Sequence, residues 1–532
     1  KNKLVESAII ISHTRWASVG KVNIENTHPI ISRKIRKNNK SDWIGSILNG
    51  DIYNYKDYTS GKKNIKFDAE CSTDCLAISN TVIGNKSKEF KTTSKSINNF
   101  SGSFAICIFG NQSKTNLQIF KQGTQGLYIG VSDDRIMFAS DVYGLIEYCR
   151  YFYPVENNES FQMSKDDFKN LKNFEFQINT DQNFKIIKKQ NLNETNITTR
   201  DIDRKHFKHF LEKEIFDTEE ITESTINRYI HNSQNPTNIS NYDFILNENQ
   251  IPNIIIKNIK KGKIKKIILT GMGTCYTAGI AISNFMREVL KITNSKILIE
   301  TTVASEGSGF YLESDMSDTL VIVIAQSGTT IDTNVYVKKA KERGALSLAI
   351  ANKREGDVTF IVDGTLYIGE GRDIEISVPS TKTYTAQVIV GYVLALYIFK
   401  SIADNSTMKK IFNAEVKKLL KVPKLVSQTL NSSEIKKSIQ SINKEFLKYK
   451  SWLVSYDNSE NSVCANEIRI KLSENCYQAI PYLEIDKVDK LNIKNSFITL
   501  ISNKKINNFE KLLLRVLNRN NFVILINTKS KE

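Results

Sequence analysis

The sequence predicts a multidomain α/β protein whose central part is parallel sheet covered by helices on both faces. Three observations carry that reading. Leu320–Ile324 is apolar at every position and too short and β-branched for a helix, as a strand buried on both faces requires. Gln326–Thr330 then makes a turn, Asp332–Arg343 has helical spacing and stops at Gly344, and Ala345–Ala351 returns as a second apolar strand. A similar unit precedes it: Lys265–Thr270 is a short apolar strand, Gly271–Cys275 a tight turn and Tyr276–Leu290 a helix.

The turn at 326–330 aims backbone N–H groups and the hydroxyls of Ser327, Thr329 and Thr330 at one point, where a helix N-terminus adds partial positive charge. A phosphate suits such a cradle. An N-capping turn that satisfies only its own helix fits the same letters. Two such turns at one sheet edge can clamp a single ligand. Gly271-Met272-Gly273 invites a dinucleotide reading, but Tyr276 stands where the third glycine should fall, and no Gly-x-x-x-x-Gly-Lys-Ser/Thr occurs.

A chain of 532 residues has room for about three domains, and 40% hydrophobic with 25% charged residues is ordinary globular composition. The formal charge of +17 raises nucleic acid or an anionic membrane as partners, yet the lysines are scattered among Asn and Ile and form no stripe. Neither partner is expected. Of seven cysteines only Cys71 and Cys75 lie close, with no second pair to complete a zinc site, so the expectation is a reducing cytoplasm and no metal. Val388–Phe399 is too short to span a bilayer and reads as a buried helix. The sequence opens on Lys1, which suggests that a natural start lies upstream and leaves targeting open.

Taken from the N-terminus, Val5–Tyr153 reads as β-rich. A guanidinium at Arg15 and a carboxylate at Asp74 suit the two charged ends of a free amino acid, and Asn49-Gly50 offers a side-chain amide and a backbone N–H to an oxyanion. That is the chemistry of glutamine hydrolysis. A surface ion pair and a hairpin turn explain the same residues singly. Asn191–Arg200 has linker composition, and Phe207, Phe210, Leu211 and Glu214 share one face of an amphipathic helix. Asn232–Asn241 is a polar loop, and Lys409–Lys450 is helical. Trp452–Ser455 is a strand, and in the helical stretch Cys464–Tyr477 the residues Glu467, Lys471 and Glu474 fall at i, i+4 and i+7 on one face. A carboxylate beside an ammonium suits enolisation, since the cation offsets enediolate charge. A Glu–Lys helix pair with a solvated Glu has the same spacing.

Gly273-Thr274-Cys275-Tyr276, Ala304-Ser305-Glu306, Gln326–Thr333 and Ser380–Thr385 follow the order and spacing of the sugar isomerase (SIS) domain in the glutamine–fructose-6-phosphate aminotransferase family, which this chain resembles. The resemblance implies that Thr274, Cys275, Gln326, Ser327 and Thr330 bind phosphate, while Val378 and Ser380 face the sugar. Ala325 and Cys275 replace serines usual in the family, and Thr329 replaces a glutamate. The blocks Ser12–Ser18, Leu48–Tyr55, Ser72–Asp74, Gly102–Ala105 and Phe138–Val142 are similar to the N-terminal-nucleophile glutaminase domain of the same family. That likeness implies an αββα fold, with Arg15 on the glutamine carboxylate, Asp74 on its amino group, Asn49 and Gly50 as oxyanion hole, and Trp16 closing an ammonia passage. Val19 stands where the family has a second His. The family's nucleophile is an N-terminal Cys; residue 1 here is Lys and the first strand is missing, so the expectation is a fragment rather than a dead domain.

Phe207–Ile215 resembles the family's hinge helix, and Ser451–Glu532 a second, incomplete SIS domain. There the likeness makes Glu474 the isomerase base and Lys471 its electrostatic partner. The family's Gly-Glu-Leu-Lys-His-Gly-Pro block is replaced by Leu483–Leu491 and no His follows His231 in this sequence, while the family's C-terminal loop with the Schiff-base Lys is not found in it, as expected of a fragment. The expected division is 1–190 glutaminase, 191–250 linker and hinge, 251–405 first SIS domain and 406–532 second SIS domain. The implied function is glutamine-dependent amination and isomerisation of a keto-sugar phosphate, fructose 6-phosphate to glucosamine 6-phosphate. The implied protein is a cytoplasmic homodimer that uses no cofactor. The alternative is a non-catalytic phosphosugar sensor with a degenerate glutaminase domain.

Overall fold

Residues 10–14, 19–35, 41–59, 66–67, 71–85, 89–111, 117–123, 125–163, 175–180, 183–195, 202–232, 241–354, 356–371, 373–403, 405–503 and 510–527 are described by a computed structural model of the chain. They fall into two units, Lys1–Asp203 and Arg204–Glu532.

The first unit is antiparallel. Its elements are β1 (Ile30–Ile35), β2 (Ser41–Ile52), the one-turn α1 (Lys56–Thr59), β3 (Lys66–Phe67), α2 (Cys75–Gly84), α3 (Phe90–Ile97), β4 (Gly102–Gly110), β5 (Leu117–Gln122), β6 (Tyr128–Val131), β7 (Ile136–Ala139), β8 (Tyr151–Pro154), β9 (Ser160–Met163), β10 (Glu175–Asn179), β11 (Phe184–Lys188) and β12 (Asn193–Glu194). One sheet runs β11-β10-β9-β5-β4-β2-β1-β3, the other β12-β8-β6-β7. Alternation along the strands sorts the core into two layers. Leu48, Ile52, Phe104 and Ile106 pack with Ile78, Val82 and Ile97 of α2 and α3. Ala105 and Ile119 point the other way and pack with Ile129, Val131 and Tyr153 of the second sheet. Helices, sheet and sheet are thus stacked as an N-terminal-nucleophile fold stacks them. Beyond the second sheet, Leu145 and Cys149 close a small apolar cluster next to the 3₁₀ turn Val142–Gly144. The Asn191–Arg200 stretch, expected as linker, contains β12, which pairs Asn193 with Phe152 of β8.

The second unit opens with α4 (Phe210–Phe216), α5 (Thr218–Tyr229), β13 (Ile230–Asn232), β14 (Tyr242–Phe244) and α6 (Asn253–Lys260). Its first parallel-sheet part is β15 (Lys266–Gly271), α7 (Thr274–Ile292), β16 (Leu298–Val303), α8 (Ala304–Glu306), β17 (Thr319–Ala325), α9 (Ile331–Glu342), β18 (Leu346–Ala351), α10 (Asp357–Ile361), β19 (Gly364–Tyr367) and α11 (Lys382–Ile402). The sheet order is β16-β15-β17-β18-β19, parallel throughout. Every residue of β17 is buried. Leu320, Ile322 and Ile324 face the α7/α11 side, whereas Val321, Val323 and Ala325 face α9 and α10, so both faces are covered. Lys382–Ile402 is long and apolar enough to cross a membrane, but it is mostly buried against the sheet and α7.

The helices α12 (Asn405–Thr407), α13 (Asn413–Leu419), α14 (Val422–Asn431) and α15 (Ser433–Ile442) lead to a second parallel sheet. It comprises β20 (Ser451–Tyr456), α16 (Ser459–Cys476), β21 (Tyr482–Glu484), α17 (Ile485–Lys490), β22 (Ser496–Ser502), α18 (Glu510–Leu517) and β23 (Phe522–Asn527), in strand order β21-β20-β22-β23.

Three helix starts differ from the sequence reading. α7 begins at Thr274, not Tyr276, because Gly273 with φ +53° makes the turn and lets the helix start at once. α16 begins at Ser459, not Cys464, because the Asn458 side chain caps it by accepting from the Asn461 N–H. α4 begins at Phe210, leaving Phe207 ahead of it with its ring 5.4 Å from that of Phe216.

α11 crosses α7 at Gly391, where an added Cβ would lie 2.3 Å from Cδ1 of Ile282. Replacing Gly391 by Leu is expected to destabilise the second unit by about 1–3 kcal/mol in urea unfolding, with part of the loss restored by a companion Ile282→Ala.

Candidate active site

β15 and β17 pair in parallel from Lys266↔Thr319 to Thr270↔Val323, so they release their turns side by side at one sheet edge. The chain passes from β15 to β16 on one side and then to β17 on the other. The crevice between β15 and β17 is therefore the topological switch point, where open parallel sheets take their ligands. Gly271 ends β15 where a side chain would be tight, since a Cβ there would lie 3.1 Å from the Ile324 carbonyl oxygen. The half-buried Cys275 joins the two turns: its Sγ accepts from the Gln326 backbone N–H and from Gln387 Nε2 at 3.6 Å. Burial pushes the thiol up to about 11, so it is a neutral S–H at pH 7.

Thr274 meets α16 of the second parallel-sheet part. Its Oγ1 accepts from Lys471 Nζ at 2.9 Å and donates to Glu467 Oε1 at 3.2 Å. Lys471 Nζ also lies 3.4 Å from Glu467 Oε1 and 3.0 Å from Glu474 Oε2. One turn earlier, Asn466 Nδ2 donates to Thr277 Oγ1 at 3.1 Å, which fixes α16 along α7. The two carboxylates differ in environment. Glu467 keeps 11% of its side chain exposed and Glu474 34%. Burial raises the Glu467 carboxyl above the usual carboxylate range, with the Lys471 charge and the Thr274 hydroxyl pulling against it. The second Glu467 oxygen is buried and has no partner among the described residues.

In the neighbouring turn Ser327 Oγ accepts from the Thr329 N–H at 3.3 Å and lies 3.0 Å from Thr329 Oγ1. Gly328 takes φ +74°, with Gly356 Cα 2.8 Å from where its Cβ would be. Exposed Thr330 sits at the N-cap of α9 and makes no side-chain cap bond. The other residues expected at the phosphate or the sugar lie as follows. Gln326 spends its side-chain amide on Glu375 Oε2, at 2.9 Å. Ser380 is buried with its hydroxyl 2.5 Å from that of Thr383. Val378 is 61% exposed. Glu375, which the sequence reading missed, accepts from the N–H groups of Thr381 at 2.6 Å and Lys382 at 3.1 Å and so caps α11. It stands seven residues ahead of the helix, outside any capping-box spacing.

In the first unit Asn49 and Gly50 lie near the end of β2, and Gly50 has φ +108° with a Cβ position 2.1 Å from the Ser103 carbonyl oxygen. Asp74 precedes α2; it accepts from the Ile52 N–H at 2.9 Å through one oxygen and from the Cys75 N–H at 3.1 Å through the other. Asn49, Gly50 and Asp74 therefore meet at one end of β2, and burial raises the Asp74 carboxyl. Arg15 and Trp16 lie outside the described residues.

Residues 1–182 match the glutamine amidotransferase domain and residues 262–397 the SIS domain. The chain is 28% identical over 452 residues to the glutamine–fructose-6-phosphate aminotransferase [isomerizing] of Clostridium tetani, covering 83% of this chain and 67% of that protein. It is 29% identical over 454 residues to the protein of the same name from Fusobacterium nucleatum, covering 84% and 67%. The chain is similar to this aminotransferase family through both its glutamine amidotransferase and its SIS domain. It spans about two thirds of the length of these relatives. The C-terminal domain of glucosamine-fructose-6-phosphate aminotransferase from Francisella tularensis, a solved structure, is 22% identical with a TM-score of 0.49 over 61% of this chain and 85% of that one.

Thr274→Val removes the hydroxyl shared by Lys471 and Glu467, and is expected to cost roughly 1–3 kcal/mol in urea unfolding, since it leaves a buried carboxylate short of a donor. A Glu467 value raised in the folded state means that the folded protein holds this proton more tightly than the unfolded chain. The stabilisation is full below the ordinary Glu value and is lost as pH rises through the folded value. Relative to Glu467→Gln, the unsubstituted protein should therefore be less stable at neutral pH than near about pH 4; urea unfolding of both across that range checks the sign.

Proposed function

We propose that this protein is a glutamine-dependent aminotransferase that converts a keto-sugar phosphate, fructose 6-phosphate, to an amino-aldose phosphate, glucosamine 6-phosphate. The observation that supports it best is the Lys471–Glu474 pair beside Thr274, at the switch point of the first parallel sheet. In this reading the hydroxyls of Ser327 and Thr330, the Cys275 thiol and the free N–H groups of the two turns hold the phosphate. Thr274 ties that turn to the isomerising helix, and Gln326 acts through its backbone and through Glu375. Val378 and Ser380 border the sugar.

Glutamine is hydrolysed in the first domain to glutamate and ammonia, with Asn49 and Gly50 stabilising the oxyanion and Asp74, Arg15 and Trp16 holding the substrate and its exit. Ammonia replaces the ketone oxygen at C2, which leaves as water. Glu474, the more exposed carboxylate, takes a proton from C1 and returns it at C2, while Lys471 offsets the negative charge in between. The domain division that goes with this is 1–190, 191–250, 251–405 and 406–532. The setting is amino-sugar biosynthesis in the cytoplasm, by a homodimer that acts on small molecules without nucleic acid or membrane.

A second reading, a phosphosugar sensor without turnover, is favoured by Ala325 and by the lack of His after His231. The two are separated by incubation with fructose 6-phosphate in heavy water and by assay of glucosamine 6-phosphate with glutamine. An enzyme exchanges the C1 proton and forms the product from glutamine, whereas a sensor binds and does neither. Glu474→Gln should slow the exchange by roughly 10²–10⁴-fold, as loss of a general base does, with little change in affinity.

A further inference from the structure

The loop that leads into α11 is gripped from outside the parallel sheet. Glu214, in the middle of α4, is 2% exposed. Its Oε1 accepts from the Ile376 N–H at 2.5 Å and the Ser377 N–H at 3.2 Å, and its Oε2 lies 3.3 Å from the same Ser377 nitrogen. A buried carboxylate needs donors, and both of these come from consecutive backbone groups of one loop. One turn on, Asp217 accepts from Lys213 Nζ at 2.5 Å and from Lys382 Nζ at 3.3 Å, and Lys382 is the first residue of α11. Side chains of the α4–α5 junction therefore hold the loop at both of its ends, 376–377 and 382. Between those anchors stand exposed Val378 and buried Ser380. Immediately before them, Glu375 reaches Gln326 of the β17 turn. The polar chain thus runs from α4 to the switch-point crevice: Glu214 to the loop, Glu375 to Gln326, and the Gln326 N–H to Cys275.

We propose that Glu214 is a positioning residue for the sugar site. By fixing the N–H groups of Ile376 and Ser377 it sets the path of the backbone that presents Val378 and Ser380, so that α4, although it precedes the sheet, governs affinity for the phosphosugar. Asp217 does the same at the other anchor through Lys382. The inference rests on the phosphosugar reading above, and two readouts keep the two apart.

In the full chain, amide hydrogen exchange of the peptide covering 375–383 and calorimetric binding of fructose 6-phosphate are compared for the unsubstituted protein, Glu214→Gln, Glu214→Asp and Asp217→Asn. In Glu214→Gln the carboxamide presents a donor or a single weak acceptor to two N–H groups. Loop exchange should rise about tenfold and affinity for fructose 6-phosphate should fall about tenfold. Glu214→Asp, which keeps the charge, and Asp217→Asn, which leaves Glu214 in place, should give intermediate effects and remain informative if the amide variant folds poorly. Unchanged loop exchange overturns the clamp. Faster exchange with unchanged affinity overturns the positioning role. Failure of the unsubstituted protein to bind fructose 6-phosphate overturns the functional reading instead, while the exchange comparison still decides the clamp.

Discussion

The parallel register of β15 against β17 is the constraint on which the remainder of the site depends. Two strands that pair from their first residues and run the same way must end together, and the chain leaves them in opposite directions across the sheet. Their turns are thereby brought within one hydrogen bond of each other, through Cys275 and the Gln326 N–H, with no special contact required of either. A β-branched, wholly apolar strand flanked by small residues is sufficient to specify this, because its only stable place is the middle of a doubly covered sheet. The donors at the crevice follow from the backbone, and the helix N-termini of α7 and α9 add their partial charge to them.

Onto that platform α16 brings a single cation between two unequal acids. Lys471 reaches Thr274, Glu467 and Glu474, so the charge that faces the crevice is tied to the very turn that lines it. The environments separate the acids. The one withdrawn from solvent has its carboxyl raised by burial and holds Thr274 and Lys471, while the other is the more exposed of the two. A second set of acids fixes the approach to α11: Glu214 and Glu375 accept from backbone N–H groups, and Asp217 pairs with the side chain of Lys382.

How far the sequence speaks depends on the range of each interaction. β17, β18 and α9 were legible because their patterns are local, and so was the Glu467–Lys471–Glu474 face, set by helical spacing alone. The partner of that face was not: Thr274 lies 197 residues from Lys471, and no periodicity connects them. Glu214 read as one position on an amphipathic face; its real partners are backbone N–H groups 162 residues away, which carry no sequence signature. Gln326 is expected at the phosphate from the family resemblance; that its side-chain amide is held by Glu375 has no local cue in the sequence. β12 has the composition of a linker, and two residues paired at a sheet edge show no alternation. The sequence places the start of α7 late because Gly-Thr-Cys has the letters of a loop, whereas Gly273 alone makes the reversal. The family resemblance supplied roles that local pattern could not, above all for Asn49, Gly50 and Asp74, which the fold brings to one end of β2.

The central claim is that the two turns and the Lys471–Glu474 pair address the same molecule. A crystal structure of the full chain with fructose 6-phosphate tests it most directly. The account predicts the phosphate between residues 271–275 and 326–330, with C1 and C2 of the sugar within reach of Glu474. A phosphate bound elsewhere, or a sugar whose C1 and C2 point away from α16, contradicts it.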